Sequence, residues 1–286
     1  MKTQVGFFFA LTFAFSAIFW CLIAATGQIG AGHGLYVTGL QWSPGVAGLV
    51  TRYRYRRSLG DPGWKWGPMR FQVLSYLIPI AYTAPLYAAC WMTGLGGFYN
   101  RTFLLTEKAA FGWSGLPDGV ALVFYVLTLG TVGMIPSCAT ALGEEIGWRG
   151  FLVPELAKVT DFTRIALISG VGWAVWHYPL FLFADYGAGI PKVFAMASFT
   201  ITVVSLSFLY AWMRLVSGSI WTAMLLHASH NLFIDNIFNP LTIDTERTRF
   251  VVGEFGVGLA VAAVIVAVLC CRSTPLVESR TRVCRS

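Results

Sequence analysis

Three short stretches concentrate the residues able to do chemistry, and all three lie in or beside apolar runs. They are Gly143-Glu144-Glu145-Ile146-Gly147-Trp148-Arg149, Trp173-Ala174-Val175-Trp176-His177 and His227-Ala228-Ser229-His230-Asn231. Ionisable groups are costly inside an apolar span and mark function by default. On a helix, Glu145 and Arg149 are one turn apart, share a face and pair. Glu144 points about 100° away from Glu145. Its carboxylate is then left to face a cavity, where it can take a proton from water. Trp173 and His177 share a face, and Pro179 is expected to bend their helix just beyond. His227 and Asn231 share another face with His230 beside them, and His and Asn both donate to a developing oxyanion. These are the parts of a general base, a proton shuttle and an oxyanion hole. No side-chain nucleophile accompanies them, so water is the expected nucleophile.

Taken singly, each motif also fits a plain structural role. Two boundary carboxylates can be held by an arginine, a core histidine can sit on a backbone carbonyl, and His and Asn can pack between helices. Other hydrolytic chemistries lack their residues. There is no His-Glu-x-x-His for a zincin. There is no Gly-x-Ser-x-Gly, since Gly218-Ser219 lacks the second glycine. Asp185 has no second membrane aspartate with which to form a dyad. The expectation is catalysis without metal or organic cofactor. The alternative is a divalent metal such as zinc on Glu144, His177 and His227, a His₂Glu set with an open position. Against it, these ligands come from three helices without a short-spaced pair.

The elements that must position these groups are membrane helices. Of 286 residues, 56% are hydrophobic and 12% charged, and mean hydropathy is +0.66. A soluble domain carries about 25% charge, and disorder needs the opposite composition. Apolar stretches fall near 6–26, 35–51, 71–94, 119–142, 163–184, 193–213, 218–238 and 251–271. The fold expected is an all-α polytopic bundle of roughly eight spans. The first stretch reads as an uncleaved span rather than a signal peptide. The second holds Pro44 and Gly45 and is expected to be bent or partly re-entrant. Three regions follow: N-terminal helices and a basic loop over 1–118, a core with all three motifs over 119–238, and a last helix with a basic tail over 239–286.

Net charge is +7, which beside apolar runs points to anionic lipid headgroups rather than nucleic acid. With the N-terminus inside, fifteen of twenty basic residues are cytoplasmic, leaving Arg101, Lys108, Lys192, Arg247 and Arg249 outside. Both termini are therefore expected in the cytoplasm of a multi-pass cell-membrane protein. Trp42, Trp64, Trp66, Trp113 and Trp212 fall near span ends, as interfacial anchors do. The six cysteines form no Cys-x-x-Cys pair, and most lie in apolar segments as small buried residues. His33 reads as an ordinary surface residue.

Glu-Glu-x-x-x-Arg, aromatic-x-x-x-His and His-x-x-x-Asn, in this order, resemble the type II CAAX prenyl endopeptidase and bacteriocin-processing (Abi) group of intramembrane proteases. The likeness covers about residues 119–236, and Trp42-Ser43-Pro44 leading into the basic 51–58 run looks like the family's N-terminal part. Trp173 stands where many members have Phe. The resemblance implies a helical bundle with a conical cavity opening toward the cytoplasm and the bilayer. It implies Glu144 as activator of water, His177 as its partner, His227 and Asn231 as oxyanion hole, and Glu145 and Arg149 in support. It implies a peptide or protein substrate, which for some members is a prenylated C-terminus. Two readings compete: a non-catalytic binding or immunity protein using the same cavity, and a transporter with a proton-relay carboxylate. The transporter needs inverted repeats, which the sequence does not display.

Overall fold

An apolar segment in lipid must satisfy its own backbone, and the long apolar runs here do so as helices. The computed structural model describes residues 2–60, 62–187 and 189–272. The tail expected beyond them, with Cys284, lies outside the described residues. The helices are α1 (Lys2–Thr26), α2 (Leu35–Arg56), α3 (Met69–Met92), the short α4 (Arg101–Ala110), α5 (Asp118–Leu156), α6 (Phe162–Phe183), α7 (Lys192–Ser217), α8 (220–241) and α9 (Val257–Arg272). Helices α1, α3, α5, α6 and α7 are long and apolar enough to cross a membrane, and α9 is apolar but shorter. The protein is an integral membrane protein with an all-α bundle. Each of the eight apolar stretches read from the sequence coincides with a helix among the described residues, five of them long and apolar enough to span.

Helix α2 is one continuous helix through Pro44 and is not re-entrant. What Pro44 and Gly45 provide is close approach to α5. A Cβ on Gly45 would stand 2.4 Å from the Gly143 oxygen, and one on Gly147 would stand 2.4 Å from the Pro44 oxygen. Gly143 and Gly147 thus form a Gly-x-x-x-Gly contact that brings two backbones together. The two glutamates lie between those glycines, so α2 fixes the turn that carries them.

Two helices change pitch at the chemically important residues. Helix α5 passes into π geometry over Ile146–Leu152, immediately after Glu145, and α8 does so over Leu232–Phe238, immediately after Asn231. Such π turns widen a helix locally and recur at functional sites.

Antiparallel succession of the long helices gives the bundle two distinct ends. The connections over 57–68 and 157–161 and the Gly218–Ser219 turn lie at one end, where Arg56 pairs with Glu155 and Arg214 donates to the Pro62 carbonyl at 3.1 Å. The connections over 27–34, 93–117, 184–191 and 242–256 lie at the other. There the Ile29 amide donates to Asp185 Oδ1 at 2.7 Å and Arg249 donates to the Gly189 carbonyl at 3.2 Å. A small antiparallel pair, β1 (Gly96–Phe98) and β2 (Thr242–Asp244), joins two of these connections, a strand pairing not anticipated from the apolar pattern. Helix α1 is part of the core. Phe8 packs on Trp148 and Phe151 at ring distances of 5.7 and 5.1 Å, and Trp176 donates to Ser16 Oγ at 2.7 Å.

Candidate active site

Glu144, Trp173, His177, His227 and Asn231 line one cavity between α2, α5, α6, α7 and α8. The cavity encloses about 190 Å³, room for roughly six waters at ~30 Å³ each. The three motifs separated by up to 87 positions are therefore one site.

The two glutamates differ as their helical spacing requires. Glu145 is fully buried, and its Oε1 accepts from Arg149 Nη1 at 2.9 Å and from His227 Nδ1 at 2.9 Å. The Arg149 partnership was legible from the sequence; the bond to His227 was not. The Arg149 guanidinium is sandwiched between the rings of Trp173 and Tyr210, at 4.4 and 4.3 Å. A delocalised cation between two π-faces is held in place as well as paired. Glu144 turns away from this cluster into the cavity, where its Oε2 accepts from Trp173 Nε1 at 2.7 Å.

Trp173 is the organising side chain. Its indole N–H holds Glu144, its carbonyl accepts from His177 Nδ1 at 2.9 Å, its face covers Arg149, and its edge meets the His227 ring at 5.2 Å. The reading of Trp173 as merely an aromatic equivalent of Phe is therefore too weak, because Phe has no N–H to offer a carboxylate. Trp173→Phe is expected to keep the packing and the fold while lowering kcat by roughly 10- to 10²-fold, the loss of a hydrogen bond to a charged group at about 1.5–3 kcal/mol. Turnover and thermal melting measured on the same preparation check this.

The hydrogen bonds fix the histidine tautomers. A carbonyl or a carboxylate only accepts, so both His177 and His227 carry a proton on Nδ1. Nε2 is then the nitrogen left free on each. On a neutral ring it accepts a proton, as a shuttle must. His227 donates through Nε2 only as an imidazolium, for which Glu145 supplies the counter-charge. His177 sits across the cavity from Glu144 without a direct hydrogen bond among the described residues, so the pairing of these two runs through the space between them. Asn231 lines the cavity with no hydrogen bond to its amide among the described residues, and His230, also lining it, bonds Tyr82 at 2.5 Å.

Asp235 and Glu254 also line the cavity, and the reading that no second aspartate lies in a span missed Asp235, which falls within the 218–238 stretch. Both left a signal. Asp235 continues the His227, Asn231 series by one more turn of the same face, and Glu254 is an acid inside the last apolar stretch. Glu254 Oε1 accepts from the Tyr186 hydroxyl at 2.5 Å.

Residues 126–233 match a protein-family model described as Type II CAAX prenyl endopeptidase Rce1-like. That stretch is similar to the Rce1-like family. It runs from α5 to α8 and contains every catalytic candidate named above. A protein named CAAX prenyl protease 2 from Methanococcus maripaludis is 27% identical to this chain over 159 residues, covering 54% of this chain and 52% of the relative. The chain thus spans about half the length of the curated relative it matches.

Among the described residues, no three His, Cys, Asp or Glu side chains stand close enough together to hold a metal ion. As placed, Glu144, His177 and His227 do not converge as a zinc set. Each has one polar atom engaged by the protein, Glu144 with Trp173, His177 with the Trp173 carbonyl and His227 with Glu145.

Besides helix residues the cavity is lined by Ile29, Tyr186 and Glu254, from connections at the end of the bundle away from the Gly218–Ser219 turn.

Proposed function

We propose that this chain is an intramembrane endopeptidase that hydrolyses a peptide bond with a water activated by Glu144. The observation that carries the reading is that Glu144, His177, His227 and Asn231 line one small cavity with room for a few waters. The Rce1-like match of the same stretch and the name of the Methanococcus relative, a CAAX prenyl protease, support it.

In the reaction, Glu144 removes a proton as the water oxygen bonds to the scissile carbonyl carbon. The carbonyl π-electrons move onto oxygen, and Asn231 and protonated His227 donate to that oxyanion. As the tetrahedral intermediate collapses, the C–N bond breaks and the leaving nitrogen takes up the proton held at Glu144, directly or through Nε2 of His177. Glu144 returns as a carboxylate. Glu145 and Arg149 hold His227 and Trp173 without touching substrate. No step uses a metal or another cofactor.

The protein sits in the cell membrane, against lipid, with its arginine-rich end in the cytoplasm; the partner is a peptide or protein substrate, with a prenylated C-terminus the kind suggested by the family name. Nucleic acid has no place in this account. The test is cleavage of a peptide panel, prenylated and not, by purified protein with Glu144→Ala as control. Cleavage by the wild type alone supports the reading, whereas no cleavage of any peptide by well-folded protein favours a binding protein.

Asn231→Ala removes one oxyanion donor. It is expected to lower kcat by roughly 10²–10³-fold, about 2.7–4 kcal/mol, with little change in KM. A rise in KM at constant kcat would make Asn231 a substrate-binding group instead.

A further inference from the structure

A third histidine lines the cavity, and its hydrogen bond sets it apart from the other two. His230 is only 8% exposed. It stands three residues after His227 and one before Asn231. On α8 it is therefore about 60° around the helix from His227, with the two Cβ atoms ~5–6 Å apart. This turn is tied down by two neighbouring helices. Ser137 Oγ of α5 donates to the Ala228 carbonyl at 3.0 Å, and Ser229 Oγ donates to the Tyr76 carbonyl of α3 at 2.7 Å. Tyr82, further along α3, meets His230 Nδ1 at 2.5 Å.

The direction of that last bond decides what His230 can offer. The Tyr82 hydroxyl has one proton, and among the described residues His230 Nδ1 is the one acceptor it meets. A polar hydrogen left without an acceptor inside a bundle is costly, so Tyr82 donates and Nδ1 accepts. The ring proton then sits on Nε2. This is the reverse of His177 and His227, whose Nδ1 protons go to a carbonyl and a carboxylate. His230 lines the cavity and Tyr82 does not, so the bonded edge of the ring faces away from it and Nε2–H is left on the cavity side. Such a donor is neutral. His227 must gain a proton before its Nε2 can donate, and His230 need not.

We infer that His230, set in this tautomer by Tyr82, is a further catalytic residue. Its Nε2–H binds the scissile carbonyl oxygen beside Asn231 and holds the oxyanion formed there. No proton leaves His230 in this role; its hydrogen bond strengthens as charge gathers on the oxygen. The role rests on the hydrolase reading, and the tautomer does not.

Two readouts test it. The first needs no substrate. Nuclear magnetic resonance of protein carrying isotope-labelled histidine separates protonated from bare ring nitrogens, and the signals missing from His230→Phe are those of His230. The wild type is expected to carry its His230 proton on Nε2, and Tyr82→Phe to mix the two tautomers. A proton on Nδ1 in the wild type overturns the proposal. The second readout is turnover of a peptide that the wild type cleaves. His230→Phe is expected to lower kcat roughly 10- to 10²-fold, with KM little changed. It also leaves the Tyr82 hydroxyl without an acceptor and so melts lower. Adding Tyr82→Phe removes that orphan, so the double variant is expected to regain its melting temperature while kcat stays low. Recovery of kcat together with melting temperature would make the pair structural only and overturn the proposal, as would a rise in KM at constant kcat. Should the His230 variants fail to fold, Tyr82→Phe decides alone: its tautomers are expected to mix with a lower kcat, and an unchanged kcat overturns the proposal. No cleavage by a wild type with its proton on Nε2 removes the hydrolase reading and leaves the cavity donor standing.

Discussion

Glu144→Gln lowers peptide hydrolysis by roughly 10²–10⁴-fold, the worth of a positioned general base, while leaving the melting temperature close to that of the wild type. Gln keeps the shape of Glu and still accepts from Trp173 Nε1, so the indole that organises the site stays where it is. What is lost is the basic oxygen facing the cavity. Glu145→Gln behaves differently. It removes the charge between Arg149 and His227, both within 2.9 Å, and so acts on stability and on the protonation of His227. Its turnover falls together with its melting temperature. The comparison needs kcat and melting curves for both variants in one detergent. Loss of turnover in a stable Glu145→Gln, with Glu144→Gln spared, would exchange the two roles.

The largest effect on stability is expected at Arg149. Its side chain and that of Glu145 are both fully buried. Removing one partner of such a pair leaves a charge without compensation, at about 3–5 kcal/mol. Arg149→Met conserves length and apolar stem but takes the permanent counter-charge from Glu145, leaving it to His227, and empties the space between Trp173 and Tyr210. It is expected to unfold far more readily than the wild type. Adding Glu145→Gln to it restores part of the loss, because the buried charge is gone. Denaturation of the two variants and the double variant closes the cycle. Strict additivity would mean that the pair does not hold this part of the bundle.

How much of this was written in the sequence follows from the physics of each residue. Lipid leaves an apolar chain few options, so the stretch near 163–184 was placed to within a residue of α6 (Phe162–Phe183), and that near 119–142 caught the start of α5 but stopped fourteen residues short of its end at Leu156. Helical spacing likewise separated Glu144 from Glu145, since residues four apart meet and adjacent ones do not. Contacts between distant segments have no such rule. The bond from Trp173 to Glu144 joins residues 29 apart, and the bond from His227 to Glu145 joins residues 82 apart. Composition favours an aromatic at 173 without saying that its N–H is needed. Pro44 misled for a related reason. A proline in a span suggests a break, but here its carbonyl side is the face against which Gly147 packs. The Gly143, Gly147 spacing that explains it was present in the sequence and reads as a helix-contact motif only beside its partner helix. The cavity lining from the connections, Ile29, Tyr186 and Glu254, was legible least of all, because it depends on which connections crowd which end.

The central claim is that Glu144, with no bound metal, activates the water. It is tested most directly by turnover of a cleaved peptide by purified protein carried through chelation, with metal content measured on the same sample. The account predicts undiminished cleavage with far less than one metal per chain, and none from Glu144→Gln. Stoichiometric zinc, with activity lost to the chelator and restored by zinc, would contradict it, because the metal would then polarise the carbonyl and lower the water pKa.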